Sequence, residues 1–131
     1  MRILGSLALV CAAVTTMVGC NTIAPIHDVS NTTVVSPAGK PLSSDQVRSA
    51  IVRAGAGLGW IVTDARPGVL NGKLLLRTHV AEVEIPYSAT AYSITYKSSE
   101  NLGESGGKIH RNYNGWIQNL NRGINAQLAA S

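Results

Sequence analysis

The chain has 131 residues, with 11 Lys and Arg against 7 Asp and Glu for a formal charge of +4, and 45% of it is hydrophobic. That length admits one domain with a modest core, and a small positive excess without a basic cluster argues against a nucleic-acid-binding surface. Phe is absent, and the aromatics are 4 Tyr and 2 Trp, each joining a ring to a polar group.

Met1 and Arg2 precede an uncharged run from Ile3 to Val18, which closes with Gly19 and Cys20 before polar Asn21. A short positive region, an apolar core and a small-residue boundary make an export signal. A permanent membrane anchor needs about 20 predominantly apolar residues, and this run is shorter and diluted by Gly5, Ser6, Thr15 and Thr16. An ordinary A-x-A-like cleavage site is not well placed, because cutting after Thr22-Ile23-Ala24 puts Pro25 directly beyond the cut. Met17-Val18-Gly19-Cys20 instead resembles the lipobox of bacterial lipoproteins, in which an apolar residue, a small or aliphatic residue and Gly or Ala precede an acylated Cys. Met17 departs from that pattern, which usually has Leu there, and Cys11 after Val10 does not fit it.

Residues 1–19 are therefore expected to be a signal peptide whose removal from 131 leaves 112 residues, with Cys20 as the lipid-bearing first residue. Losing Cys11 with the signal and modifying Cys20 leaves the folded domain no thiol for a disulfide, a metal or a nucleophile. Each acyl chain contributes about 0.8 kcal/mol per buried methylene, so the three chains that resemblance to Gram-negative lipoproteins implies anchor stably. Asn21, rather than Asp, after the Cys resembles lipoproteins passed on to the outer membrane.

From residue 20 to residue 41 the chain is rich in Asn, Thr, Ser and Pro without a burying period, and reads as a flexible tether in which Val29, Val34 and Val35 are enough for a short edge strand. The domain is expected over residues 42–131. Ser43-x-x-Gln46 is a capping box, and Leu42 with Val47 supplies a hydrophobic staple across it. Val47, Ala50, Ile51, Ala54 and Leu58 then recur at helical spacing, Arg48 and Arg53 fall on the outer side, and Gly55, Gly57 and Gly59 unwind the helix as a C-cap. As a phosphate-binding loop these glycines have the order of strand and helix reversed.

Strand signals follow over Trp60 to Asp64, Val69 to Arg77, Val80 to Ile85 and Ala91 to Tyr96, with Arg66-Pro67-Gly68 as a turn. Ala81, Val83 and Ile85 alternate with Val80, Glu82 and Glu84, and Tyr92, Ile94 and Tyr96 alternate with Ser93 and Thr95, so the sheet has one buried and one wet face. Pro86 ends the third strand or marks an edge. After a polar loop with Gly103, Gly106 and Gly107, a long amphipathic helix is expected from Ile109, Tyr113, Trp116, Ile117, Leu120, Ile124 and Leu128. The fold class is thus α+β, a two-layer arrangement in which an antiparallel meander of three to four strands packs against an N-terminal and a long C-terminal helix. The aromatics are placed in its core, with Trp116 and Tyr113 stacked over the sheet tyrosines and the phenol hydroxyls reaching the rim.

Candidate chemistry is sparse. His27 lies in the tether and the other two histidines are far apart, no H-E-x-x-H or close His or Cys pair occurs, and neither metal nor cofactor is expected. Glu82 and Glu84 share a strand face about 7 Å apart, which suits two carboxylates flanking a glycosidic bond; paired acids on a solvated strand are more often a polar face that opposes aggregation. His79 and Glu82 point to opposite faces and form no dyad. No G-x-S-x-G is present, and an enzyme is not expected. The remaining candidate is the start of the last helix, where His110, Asn114 and Gln118 form one stripe with Arg111 alongside, groups able to hold a glycan, a peptide or an anion. The same stripe also reads as a hydrated helix face.

His79-Val80-Ala81-Glu82-Val83-Glu84-Ile85-Pro86-Tyr87, Tyr92-Ser93-Ile94-Thr95-Tyr96 and Ile109-His110-Arg111-Asn112-Tyr113-Asn114 with Trp116 resemble a family of small, uncharacterised proteobacterial lipoproteins, as do Ile51-Val52-Arg53-Ala54 and Gly59-Trp60. The resemblance covers nearly the whole mature chain and implies an outer-membrane address and a helix-sheet-helix domain. That family has no established activity, so no functional residue is carried over. The resulting expectation is a non-enzymatic binding or structural module, lipid-anchored to the outer membrane through acylated Cys20 and facing the periplasm, with another envelope protein or peptidoglycan as partner. The alternative is a small periplasmic hydrolase, or a glycan- or ligand-binding protein, using His110, Asn114 and the acidic strand face.

Overall fold

Short turns between successive strands bring neighbours in sequence together at little entropic cost, and most of the sheet is built that way. The computed structural model describes residues 22–131, apart from the side chain of Ala38. In chain order the elements are β1 (Ile23–Pro25), β2 (Val29–Thr33), a 3-10 turn (Pro37–Gly39), α1 (Ser44–Gly57), β3 (Trp60–Arg66), β4 (Val69–Leu76), β5 (His79–Pro86), β6 (Ala91–Glu100), β7 (Lys108–His110) and α2 (Asn112–Ala129). The main sheet has five antiparallel strands in the order β2-β6-β5-β4-β3, and β1 pairs with β7 as a separate antiparallel ribbon.

The fold is α+β, with both helices on one face of the sheet. Leu70 stands opposite Ile85, Gly72 opposite Val83 and Leu74 opposite Ala81, all on the buried face. Tyr92 and Ile94 of β6 continue that face, and Val47, Ala50, Ile51 and Ala54 of α1 with Tyr113, Ile117, Leu120, Ile124 and Leu128 of α2 close over it. Two glycines set how near the layers come. A Cβ on Gly55 would lie 2.5 Å from Val62 Cγ2, so α1 rests against β3 where a side chain has been dispensed with. A Cβ on Gly72 would lie 3.0 Å from Val83 Cγ2 and 3.4 Å from Trp60 Cε3, so that glycine makes the seat for the Trp60 ring.

The main sheet has five strands rather than three or four, because β2 joins it along β6, with Val29 opposite Ile94 and Thr32 opposite Tyr92. The segment read as a tether over residues 20–41 is, from Thr22 onward, part of the fold: β1 and β2 lie in it, and Val34 is buried. Its strands are short and mostly polar, and what orders them is partners far along the chain rather than a local period. Finally, the long helix begins at Asn112; Ile109 and His110, read as its first turn, are in β7, where Ile109 is fully buried. Ile109 satisfies a helical spacing and a strand equally well, and its pairing with Ala24 decides for the strand.

The glycine-rich end of α1 divides its labour. Gly55 is inside the helix as a packing site, the helix runs on through Gly57, and Gly59, at φ +86, makes the left-handed exit. Leu58, expected in the buried stripe, is 43% exposed.

Candidate functional site

The four residues singled out near the last helix are not one stripe. His110 ends β7, its backbone N–H donating to Leu102 O at 2.9 Å and its Nδ1 accepting from Asn112 N at 3.2 Å. Accepting at Nδ1 places any proton of the neutral ring on Nε2. Arg111 is the N-cap residue of α2 and gives the helix no side-chain cap, but its backbone N–H donates to Thr22 O at 2.8 Å. Asn114 reaches back across the N-terminal segment: its Oδ1 accepts from His27 N at 3.0 Å and its Nδ2 donates to Pro25 O at 2.9 Å. Gln118, one turn further on, is exposed, as is the Arg111 side chain. Asn114, and His110 through Nδ1 and its backbone, therefore hold chain segments together, while Arg111 and Gln118 face solvent. What unites this region is a clasp in which β1, β7 and the first turn of α2 fasten residues 22–27 to the domain.

The acidic strand face is likewise engaged. Glu82 lies 3.6 Å from Lys73 Nζ and 3.9 Å from Lys97 Nζ, and Glu84 receives both Arg66 guanidinium nitrogens at 3.1 and 3.2 Å. Hydrogen bonding from Arg66 and its positive charge hold the Glu84 carboxyl below its ordinary range. With Glu82 between two lysines and Glu84 on Arg66, the two carboxylates form a charge-balanced sheet face. Two register shifts build it. One between Glu82 and Val83 leaves Lys97 out of the pairing beside Glu82, and one between Asp64 and Arg66 sets Arg66 opposite Val69.

The aromatics divide by depth. Tyr92 and Tyr113 are fully buried, Tyr113 meets Tyr96 edge-on at 5.6 Å, and Tyr96 pairs its hydroxyl with Ser99 Oγ at 2.8 Å. Tyr92 donates to Asn121 and lies 3.0 Å from Asn125 Oδ1, so its hydroxyl is met by α2 rather than left in the core. Trp116 is not stacked on the tyrosines; its ring is 6.4 Å from that of His79, tilted by 48°. His79 donates through Nδ1 to Asn101 O at 2.6 Å, and Asn101 Nδ2 donates to Thr78 Oγ1 at 2.8 Å, tying the β4–β5 turn to the end of β6.

Open hollows mark the described surface. One of about 440 Å³ is a groove between the helices, lined by Ala54, Gly57 and Gly123 with Arg53 and Arg122 beside them. Another of about 330 Å³ lies by Asp45, Ser49 and Ser131, and one of about 300 Å³ by Asp64, Pro67 and Tyr87. None includes His110, Arg111, Asn114 or Gln118. Among the described residues no three His, Cys, Asp or Glu side chains gather as a metal would require, and no charged side chain is buried. No helix among them is long and apolar enough to cross a membrane. Cys20, the expected site of lipid attachment, and the expected signal over residues 1–19 lie outside the described residues. No protein-family model, curated protein or solved structure matches the chain.

Proposed function

We propose that this chain is a lipid-anchored envelope protein of the outer membrane whose domain is a non-enzymatic binding or structural module facing the periplasm. The observation that carries the reading is the run Met17-Val18-Gly19-Cys20 at the end of a signal-like segment. In support of it, Asn114 is engaged in holding backbone, and Glu82 and Glu84 in balancing charge. Exposed Arg111 and Gln118 leave room for a polymeric or protein partner at the clasp, and either another envelope protein or peptidoglycan fits that surface.

Labelled palmitate should enter the wild-type protein and not the Cys20→Ala variant, which should leave the outer-membrane fraction. Palmitate incorporation that ignores Cys20, or unchanged localisation of the variant, would sink the anchor. Crosslinking in intact envelopes should then recover either glycan fragments or one dominant protein, and recovery of neither would remove the binding role.

A further inference from the structure

The fold already includes Thr22, two residues past the proposed anchor. Thr22 O already accepts from Arg111 N at 2.8 Å, and Ile23 stands opposite His110. Two residue steps separate Cys20 from Thr22, and two steps of extended chain span at most about 7 Å. A lipid on Cys20 therefore holds the β1–β7 end of the domain against the bilayer. A tether this short also makes any further contact intramolecular, at an effective concentration on the order of millimolar or above.

That end of the molecule is also where its exposed apolar side chains gather. From Thr22 the hydrogen bonds run through Arg111 and His110 to Leu102, and from the adjacent Asn101 to His79 and Thr78 at the β4–β5 turn. The turn presents Leu75, 55% exposed, and Leu76, 43% exposed, beside exposed Arg77. Ile23 adds 39% exposure next to Thr22. Leu58, at the end of α1, instead lines the groove between the helices beside Gly123. Val35, by contrast, sits at the far end, where the neighbouring Val34 N–H bonds Thr90 O.

We infer that the domain rides on the membrane with this pole down, Leu75 and Leu76 entering the headgroup region of the leaflet that holds the lipid on Cys20. The inference rests on the lipid-anchored reading. Arg77, Lys108 and Arg111 against Glu100 and Glu104 leave only one net positive charge in the same region, so apolar burial more than net charge drives the contact, and salt should change it little.

The test uses the full acylated chain in phosphatidylethanolamine and phosphatidylglycerol vesicles carrying a nitroxide lipid. With Cys11 removed and Cys20 acylated, a new thiol is the only one. An environment-sensitive fluorophore on Leu76→Cys should be quenched several-fold more strongly than the same probe on Val35→Cys. A probe on Arg77→Cys should lose that excess when Leu75→Ser and Leu76→Ser are added, while the protein still floats with the vesicles. Equal quenching at both poles in floating, acylated protein overturns the orientation and leaves the anchor standing. Mass spectrometry showing Cys20 unmodified overturns both. A Leu76 probe already shielded without vesicles, in the Cys20→Ala chain, would show a second copy on this pole and overturn the membrane contact.

Discussion

Gly55 and Gly57 sit two residues apart near the end of α1 and should answer oppositely to the same change. Replacing either by Ala removes the entropic penalty of glycine, a gain of up to about 1 kcal/mol in a helix. At Gly57 nothing stands within 4 Å of the new Cβ, so Gly57→Ala should stabilise. At Gly55 the methyl would fall 2.5 Å from Val62 Cγ2, on a strand that cannot retreat without moving Trp60, and overpacking of that kind costs about 1–3 kcal/mol. Gly55→Ala should therefore destabilise on balance, and urea midpoints of the two variants falling on the same side of wild type would refute the packing role. Tyr113 gives a residue-scale test in pH. Burial first, then the Asp28 charge and Tyr96, raise its phenol well above the ordinary value. The unfolded chain releases that proton near pH 10 while the fold retains it, so the contribution is complete below about pH 10 and is lost as pH rises, by up to about 1.4 kcal/mol per pH unit. Tyr113→Phe should flatten this alkaline loss, and stability curves for the two proteins that stay parallel between pH 8 and 11 would exclude it.

At the scale of elements, what was legible in the sequence was what is local. The capping box of α1 is present in both directions, Ser43 Oγ accepting from Gln46 N at 3.2 Å and Gln46 Oε1 from Ser43 N at 2.9 Å. The four consecutive strands β3 to β6 and the Arg66-Pro67-Gly68 turn follow from alternation and turn chemistry between neighbours. The clasp was not legible, because β1, β7 and the Asn114 bonds join residues nearly ninety positions apart and none of the three carries a period long enough to read. Asn114 looked like a binding residue for the same reason: a polar side chain on a helix has no visible partner until the chain has folded back over it. Asn114→Ala removes two hydrogen bonds whose backbone partners, Pro25 O and His27 N, are exposed and regain water, so it should cost about 0.5–1.5 kcal/mol per bond at most, and should speed hydrogen exchange at Ile26 and His27 first. Arg111→Ala and Gln118→Ala, which remove only exposed side chains, should stay within about 0.5 kcal/mol of wild type. Equal effects of all three would mean that the clasp does not organise this surface.

For the whole molecule the question is whether residues 22–41 belong to the domain, since that decides how freely it would move above the proposed anchor. A flexible tether over residues 20–41 would give a root-mean-square reach of roughly 25 Å, whereas a fold that already includes Thr22 would be held at the bilayer by a lipid on Cys20. The two boundaries predict different behaviour of shortened chains. Cutting before Leu42 removes β1 and β2, the buried side chain of Val34 and the part-buried Ile26 and Val29. Burying one such side chain fully contributes about 1.5–3 kcal/mol, so with the Asn114 bonds the loss reaches several kcal/mol, a large share of the roughly 5–15 kcal/mol that keeps a domain folded. It also bares the β6 edge beside Tyr92 and Ile94, a template for pairing between chains. A chain of residues 22–131 should unfold cooperatively in urea, while residues 42–131 should show a lowered or absent transition and associate on concentration. Matching midpoints and slopes for the two would restore the tether, and with it a domain free to swing away from the proposed anchor.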